Sequence, residues 1–128
     1  MVFSDILNDS LNKERGGRHG GKGHEFQRYW ALCHLLQVDL HKNDYLVLLE
    51  FIEDVAVLNN GNAPDEIELF QLKKKEGASS KWTKAAITKS VKGGKSILAK
   101  LHESTSIAKD ETTSIAFVSN APINLKLT

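Results

Sequence analysis

The stretch Asp54-Val-Ala-Val-Leu-Asn-Asn-Gly-Asn-Ala-Pro-Asp-Glu-Ile-Glu-Leu-Phe-Gln-Leu-Lys73 reads as a β-hairpin. Its centre, Asn59 to Pro64, is turn chemistry: Gly61 is free to take positive φ, and Pro64 cannot donate to a central ladder. Ile67 to Lys73 then returns as a strand. Upstream, Tyr45 to Leu58 is too β-branched and too continuous for a surface helix, so it is expected to form one long bent strand or two short ones, bent near Phe51 to Glu53. Side chains alternate along a strand, so Gln71 and Lys73 share one face while Phe70 and Leu72 take the other. Asp54 stands at the end of its strand far from the turn, opposite the Gln71 and Lys73 end of the returning strand. The three therefore converge at one end of the sheet. Glu50 has the parity of Asp54 and joins it on that face if the strand stays regular between them.

Before the hairpin, Phe26, Tyr29, Trp30, Cys33 and Leu36 recur at three- and four-residue steps, which predicts a helix from His24 to about Val38 packed along that stripe. After it, a Gly-Ala-Ser-Ser linker leads into Trp82 to Leu101, with apolar residues at 82, 85, 86, 97, 98 and 101 and a break at Gly93-Gly94. Two helical pieces or one kinked helix are expected there. Ser114-Ile-Ala-Phe-Val-Ser-Asn120 is a short apolar run closed by Ala-Pro. It fits a buried strand entered from a helical crossover and so lying parallel to its neighbour. The order is α-β-β-β-α-β, an α/β fold with a mixed sheet flanked by helices. Residues 10–23 hold five of the nine glycines, so residues 1–23 are expected to be a flexible basic arm and 24–128 the folded domain. The chain ends eight residues after the last apolar run without a closing helix, and is expected to belong to a longer protein.

With 128 residues, 41% hydrophobic and 26% charged, the composition fits one globular domain. A domain of this size buries roughly 65–70% of its unfolded surface and needs no disulfide or structural metal. The single Cys33 excludes an internal disulfide, and without Cys/His spacing a zinc finger is excluded too; a reducing compartment, the cytoplasm, is expected. There is no signal-peptide pattern, and no run approaches the roughly 18–20 apolar residues that cross a bilayer, so no membrane partner is expected. The net charge of +1 conceals a strong segregation. Residues 41–72 carry one lysine against seven acids, and residues 73–100 carry nine lysines against one acid. Such neighbours suit an acidic element that gathers a divalent cation beside a basic one lying along a polyanion. They equally suit a solvated lysine face paired with an acidic strand edge.

The spacing of the hairpin residues has a chemical use. Magnesium is a hard cation that keeps several waters, so Asp54, Glu50, the Gln71 side-chain carbonyl and a substrate phosphate oxygen suffice to hold it. Lys73 beside it can orient or deprotonate an attacking water and offset charge on the phosphoryl oxygens. Against this, Lys73 with Lys74 and Lys75 can be a charged edge that discourages sheet-to-sheet aggregation. Asp54 is harder to explain that way, since a carboxylate flanked by Val55, Ala56 and Val57 is costly to bury without a partner. Cys33 and Trp82 read as core residues. Gly93-Gly-Lys-Ser96 is no phosphate loop, because Lys89 stands where that motif needs glycine.

Asp54 followed by Gln71-Leu72-Lys73 resembles the D…(E/Q)xK core of the PD-(D/E)XK nuclease superfamily, whose restriction-endonuclease-like α-β-β-β-α-β order matches the one read above. More closely, Lys22-Gly-His-Glu-Phe-Gln-Arg-Tyr-Trp30, Leu49-Glu-Phe-Ile-Glu-Asp-Val55, Phe70-Gln-Leu-Lys73 and Phe117-Val-Ser-Asn-Ala-Pro122 together resemble the endonuclease domain of CD-NTase-associated effectors. In that family the domain is followed by a sensor for cyclic oligonucleotides and cuts double-stranded DNA during bacterial antiphage defence. The resemblance implies a catalytic set of Asp54, Gln71 and Lys73 with Glu50 as an extra acid. It also implies Mg²⁺ (or Mn²⁺) on Asp54, Gln71 and Glu50, and double-stranded DNA as partner. No proline precedes Asp54, and glutamine at 71 brings one negative charge fewer than the general pattern. Arg18, Lys22, Lys74, Lys75, Lys81 and Lys84 are the candidate phosphate contacts. Two other readings stay open: a nuclease-fold module that holds nucleic acid without cutting it, and a plain interaction domain. Further partners left open are a second copy of the chain, in a homo-oligomer, and a C-terminal sensor domain outside these residues.

Overall fold

In the computed structural model, which describes residues 2–13, 22–77, 80–90 and 92–126, the chain runs α1 (Phe3–Lys13), α2 (Lys22–Asp39), β1 (Leu46–Leu49), β2 (Val55–Leu58), β3 (Ile67–Lys73), β4 (Trp82–Thr83), α3 (Lys84–Thr88), α4 (Ile97–Thr105), a 3-10 turn (Ser106–Ala108), β5 (Thr112–Ser119) and β6 (Ile123–Asn124). The expected hairpin is β2 and β3, antiparallel, with Val55 opposite Phe70 and Leu58 opposite Ile67. The bend expected near Phe51 is a reversal: β1 folds back antiparallel on β2, so Tyr45 to Leu58 makes two short strands. The last strand, β5, lies parallel to β3, as a crossover through α3 and α4 requires. The sheet order is β1-β2-β3-β5, mixed and flanked by helices, compatible with a restriction-endonuclease-like core.

Alternation along β2 and β3 feeds two cores. Val55, Val57, Phe70 and Leu72 pack with Ala31, Phe26 and Trp30 of α2. Ala56, Leu58, Ile67 and Leu69 face the other way, onto Phe3, Phe51 and Ala108. Residues of the second parity continue into Gln71 and Lys73, which places the polar end of β3 on the face that α4 borders. The hairpin turn is held by asparagine side chains: Asn59 Oδ1 accepts from the Asp65 and Glu66 amides at 3.1 Å each, and Asn60 Oδ1 from those of Asn62 and Ala63. Gly61 is not left-handed. It comes close to Asp44 Oδ1 instead, which accepts its N–H at 3.1 Å and lies 3.3 Å from where a Cβ would stand. The Gly93 break is a turn with φ +75°, and Ser96 Oγ then caps α4 by accepting from the Ala99 amide at 3.0 Å.

Four expectations change. The last strand, β5, expected to be buried, lies at the sheet edge and has no buried residue. The arm expected over residues 1–23 begins with helix α1, because Phe3, Ile6 and Leu7 recur at helical spacing and pack on the second core; residues 14–21 lie outside the described residues. Helix α2 is apolar around more of its girth than one sheet face can cover. Phe26, Trp30 and Ala31 turn inward, Tyr29 and Leu36 are exposed, and Cys33 is an exposed thiol, not a core residue. Trp82, expected to open a helix, lies in β4, which pairs in parallel with β6. It is a core anchor as read: buried, edge-on to Phe117, with its Nε1 donating to Ser119 Oγ at 2.8 Å.

The α2 core also takes in a histidine. His34 stacks on Trp30 at 4.7 Å and meets Phe70 at 4.9 Å, and its buried Nε2 has no hydrogen-bond partner. Burial holds its pKa below the ordinary value, only partly opposed by the Glu68 carboxylate. The unfolded chain therefore binds this proton more readily. The contribution to stability is complete above the unfolded value near 6.5 and is lost as pH falls through the lower folded value. Urea midpoints should fall between about pH 7.5 and about pH 5.5 by more in the wild type than in His34→Phe. Equal pH dependence in the two would contradict this.

Candidate active site

The reversal between β1 and β2 occupies residues 50 to 54 and is closed by the Glu50 amide donating to the Asp54 carbonyl at 2.8 Å. Glu50 takes φ +52° to make it. Asp54 leaves this turn directly into β2, whose register sets Val55 against Phe70 and so brings Asp54 beside the Gln71 end of β3. One carboxylate oxygen, Oδ2, is anchored by the Leu72 amide at 2.8 Å. Gln71 follows the inward parity of Ile67 and Leu69 and is only 8% exposed, yet its Oε1 is buried without any hydrogen-bond partner. A buried acceptor left open costs roughly 1–3 kcal/mol. Lys73, two residues on and on the same face, is exposed at the strand end.

Asp54, Gln71 and Lys73 line one pocket of about 500 Å³, as the alternation read from the sequence expects. Helix α4 and the 3-10 turn close its far side with Lys100, Glu103, Ser104 and Ser106. Two of its acids have partners from α4's neighbourhood. Glu103 meets Lys95 at 2.7 Å, and Glu53 accepts a hydrogen bond from Ser104 Oγ. Burial pushes the Glu53 carboxyl above its ordinary pKa; the Ser104 hydroxyl opposes that, the Asp54 charge adds to it, and the Asp54 amide and Lys73 oppose it. Alternation along a strand sends Glu53 away from the Asp54 face, and only the five-residue turn brings it back. The contribution of Ser104 follows from the crossover and had no local signal at all.

Glu50 does not join this pocket. The parity that linked it to Asp54 assumes a regular strand, and the turn breaks it. Its carboxylate meets His24 Nε2 of α2 at 2.6 Å, in a smaller pocket with Leu49, Gln27 and Arg28. His24 also borders a pocket of about 360 Å³ that includes Asp54, Lys73 and Lys74. Among the described residues, no group of three or more His, Cys, Asp or Glu converges as a ready metal cage. Of the sequence-predicted oxygen donors, the Asp54 carboxylate and the Gln71 amide line one pocket, together with Glu53 and Glu103.

The basic residues divide. Lys74 lies 4.0 Å from Glu76. Lys75 is committed to the fold: its Nζ donates to the Lys81 carbonyl at 3.0 Å and sits 4.3 Å over the Trp82 ring, while Asn120 bonds both its backbone N–H and C=O at 2.9 Å. Lys81 and Lys84 instead border an open cleft with Thr83, Asn124 and Lys126, a third lysine that the sequence reading passed over. Lys22 opens α2, and Arg18 lies outside the described residues.

Residues 15–128 match the family model described as Cap4, dsDNA endonuclease domain. The comparison with curated proteins gives no match, and neither does that with solved structures. The matched span takes in the whole sheet, both hairpin strands and the pocket at their polar end, and the chain belongs to the family of Cap4 dsDNA endonuclease domains.

Proposed function

We propose that this domain is a metal-dependent endonuclease that hydrolyses phosphodiester bonds of double-stranded DNA, acting in the cytoplasm in bacterial antiphage defence. The observation that carries the reading is the buried, unpartnered Oε1 of Gln71, a residue that lines the same pocket as Asp54 and Lys73. An amide oxygen and a carboxylate are hard donors of the kind that Mg²⁺ or Mn²⁺ takes, and a cation there would satisfy an acceptor that the protein leaves open. Asp54 and Gln71 would hold it. When bound, such an ion supplies Lewis-acid polarisation of the phosphoryl oxygen and of the attacking water.

The remaining work falls to the chain itself. The Leu72 amide fixes the Asp54 carboxylate so that its second oxygen can face the pocket. Lys73 places an ammonium where charge builds on the phosphoryl oxygens and orients the water for in-line attack. Lys74, Lys81 and Lys84, with Lys22 at the start of α2 and Arg18, grip phosphates without reading bases, so binding weakens as salt rises. Lys75 serves packing and not the grip. A sensor domain following this one in the same protein, and assembly into a homo-oligomer, belong to the same reading. No helix among the described residues is long and apolar enough to cross a membrane.

Supercoiled plasmid incubated with purified protein and Mg²⁺ should be nicked and then linearised, with EDTA stopping the reaction and Mn²⁺ restoring it. Salt-sensitive binding without cleavage under any divalent ion would instead mark a nuclease fold that holds DNA and leaves it intact.

A further inference from the structure

The turn that delivers Asp54 contains a non-glycine residue in the left-handed region, Glu50 at φ +52°. An L side chain there crowds its own backbone, and such a conformation persists only when the surroundings hold it. His24 supplies that hold: its Nε2 lies 2.6 Å from Glu50 Oε1, with the two side chains 22% and 27% exposed. His24 is fixed in turn, because α2 packs on the sheet through Phe26, Trp30 and Ala31. From Glu50 the connection continues through its amide to the Asp54 carbonyl at 2.8 Å, and from the Asp54 carboxylate to the Leu72 amide at 2.8 Å. A continuous series of contacts thus runs from α2 to the metal-side acid and onward to β3.

We propose that His24 and Glu50 are positioning residues: their pair keeps residue 50 left-handed and so fixes the turn that sets Asp54 against Gln71 and Lys73. This rests on the nuclease reading above and gives Glu50 a role through the backbone in place of direct metal ligation. It also explains why the Glu50 carboxylate points into the small pocket with Leu49 and Arg28 while Asp54 lines the larger one.

Glycine distinguishes the two roles, since it adopts φ +52° without a side-chain anchor. In plasmid cleavage, His24→Ala should lower kcat by about tenfold, with the KM for DNA and the half-saturating Mg²⁺ concentration unchanged. Glu50→Gly should stay within about threefold of wild type, and His24→Ala placed on Glu50→Gly should cost nothing further. A metal ligand cannot behave so: a large loss in Glu50→Gly with a raised Mg²⁺ requirement would overturn the proposal, as would a full His24→Ala effect in the Glu50→Gly background. Thermal unfolding of the same four proteins provides an activity-free readout. The destabilisation by His24→Ala should vanish in the Glu50→Gly background, and additive effects would overturn the pairing. Wild-type protein that cuts nothing would sink the nuclease reading, while this unfolding cycle still decides whether the pair holds the turn.

Discussion

Lys73→Ala is expected to slow plasmid cleavage by roughly 10²–10³-fold, the cost of removing one preorganised cationic or hydrogen-bonding group from a developing oxyanion. Its stability should change by no more than about 0.5 kcal/mol, since Lys73 is exposed at the end of β3 and supports neither core. The comparison is cleaner than Asp54→Ala, which should also stop cutting. That change strips the Leu72 amide of its acceptor as well, and so mixes a loss of chemistry with a stability cost of about 1–3 kcal/mol. Gel assay of nicking under saturating Mg²⁺, paired with urea unfolding, separates the two effects. Cleavage by Lys73→Ala at the wild-type rate would remove the lysine from the reaction.

Gln71→Met should cut at least about a hundredfold more slowly and yet unfold at higher urea. Methionine matches glutamine in volume and shape, so packing against the β2 and α4 sides of the pocket is kept. It carries no acceptor of comparable strength, so the unfilled requirement of the buried Oε1 disappears, and stability should rise by about 1 kcal/mol. A gain in stability joined to a loss of activity is the mark of a polar group kept for function. If Gln71 were instead an ordinary buried residue satisfied by water, the same substitution would destabilise the protein and leave cutting alone.

The parts of this fold that were legible in the sequence are those governed by local period. The two-residue alternation of Ile67 to Lys73 correctly separated Phe70 and Leu72 from Gln71 and Lys73, and the crossover rule correctly made β5 parallel to β3. Gly93-Gly94 marked the division between the two helical pieces. What failed depended on a change of period or on a distant partner. Alternation assumed a straight strand between Glu50 and Asp54, and a five-residue reversal with one left-handed residue undid it. The buried stripe of α2 lies one step from the one that spacing predicts, because apolar residues occur on both sides of the face that the sheet covers. Phe3, Ile6 and Leu7 carried a helical signal that the glycines after them obscured. Strands of two residues, such as β4 and β6, are too short to leave a pattern. Glu53 met Ser104 only once α4 had folded over the end of the sheet, a contact across 51 residues that no local window contains.

The central claim, that one hard cation is shared by Asp54 and Gln71 beside Lys73, is open to direct observation. Crystals of the domain soaked in Mn²⁺ and measured at the manganese absorption edge should show an anomalous peak bonded to the Asp54 carboxylate and to Gln71 Oε1. A peak held by Glu50 and His24 instead, or none at Asp54 at an Mn²⁺ concentration that supports cleavage, would contradict it.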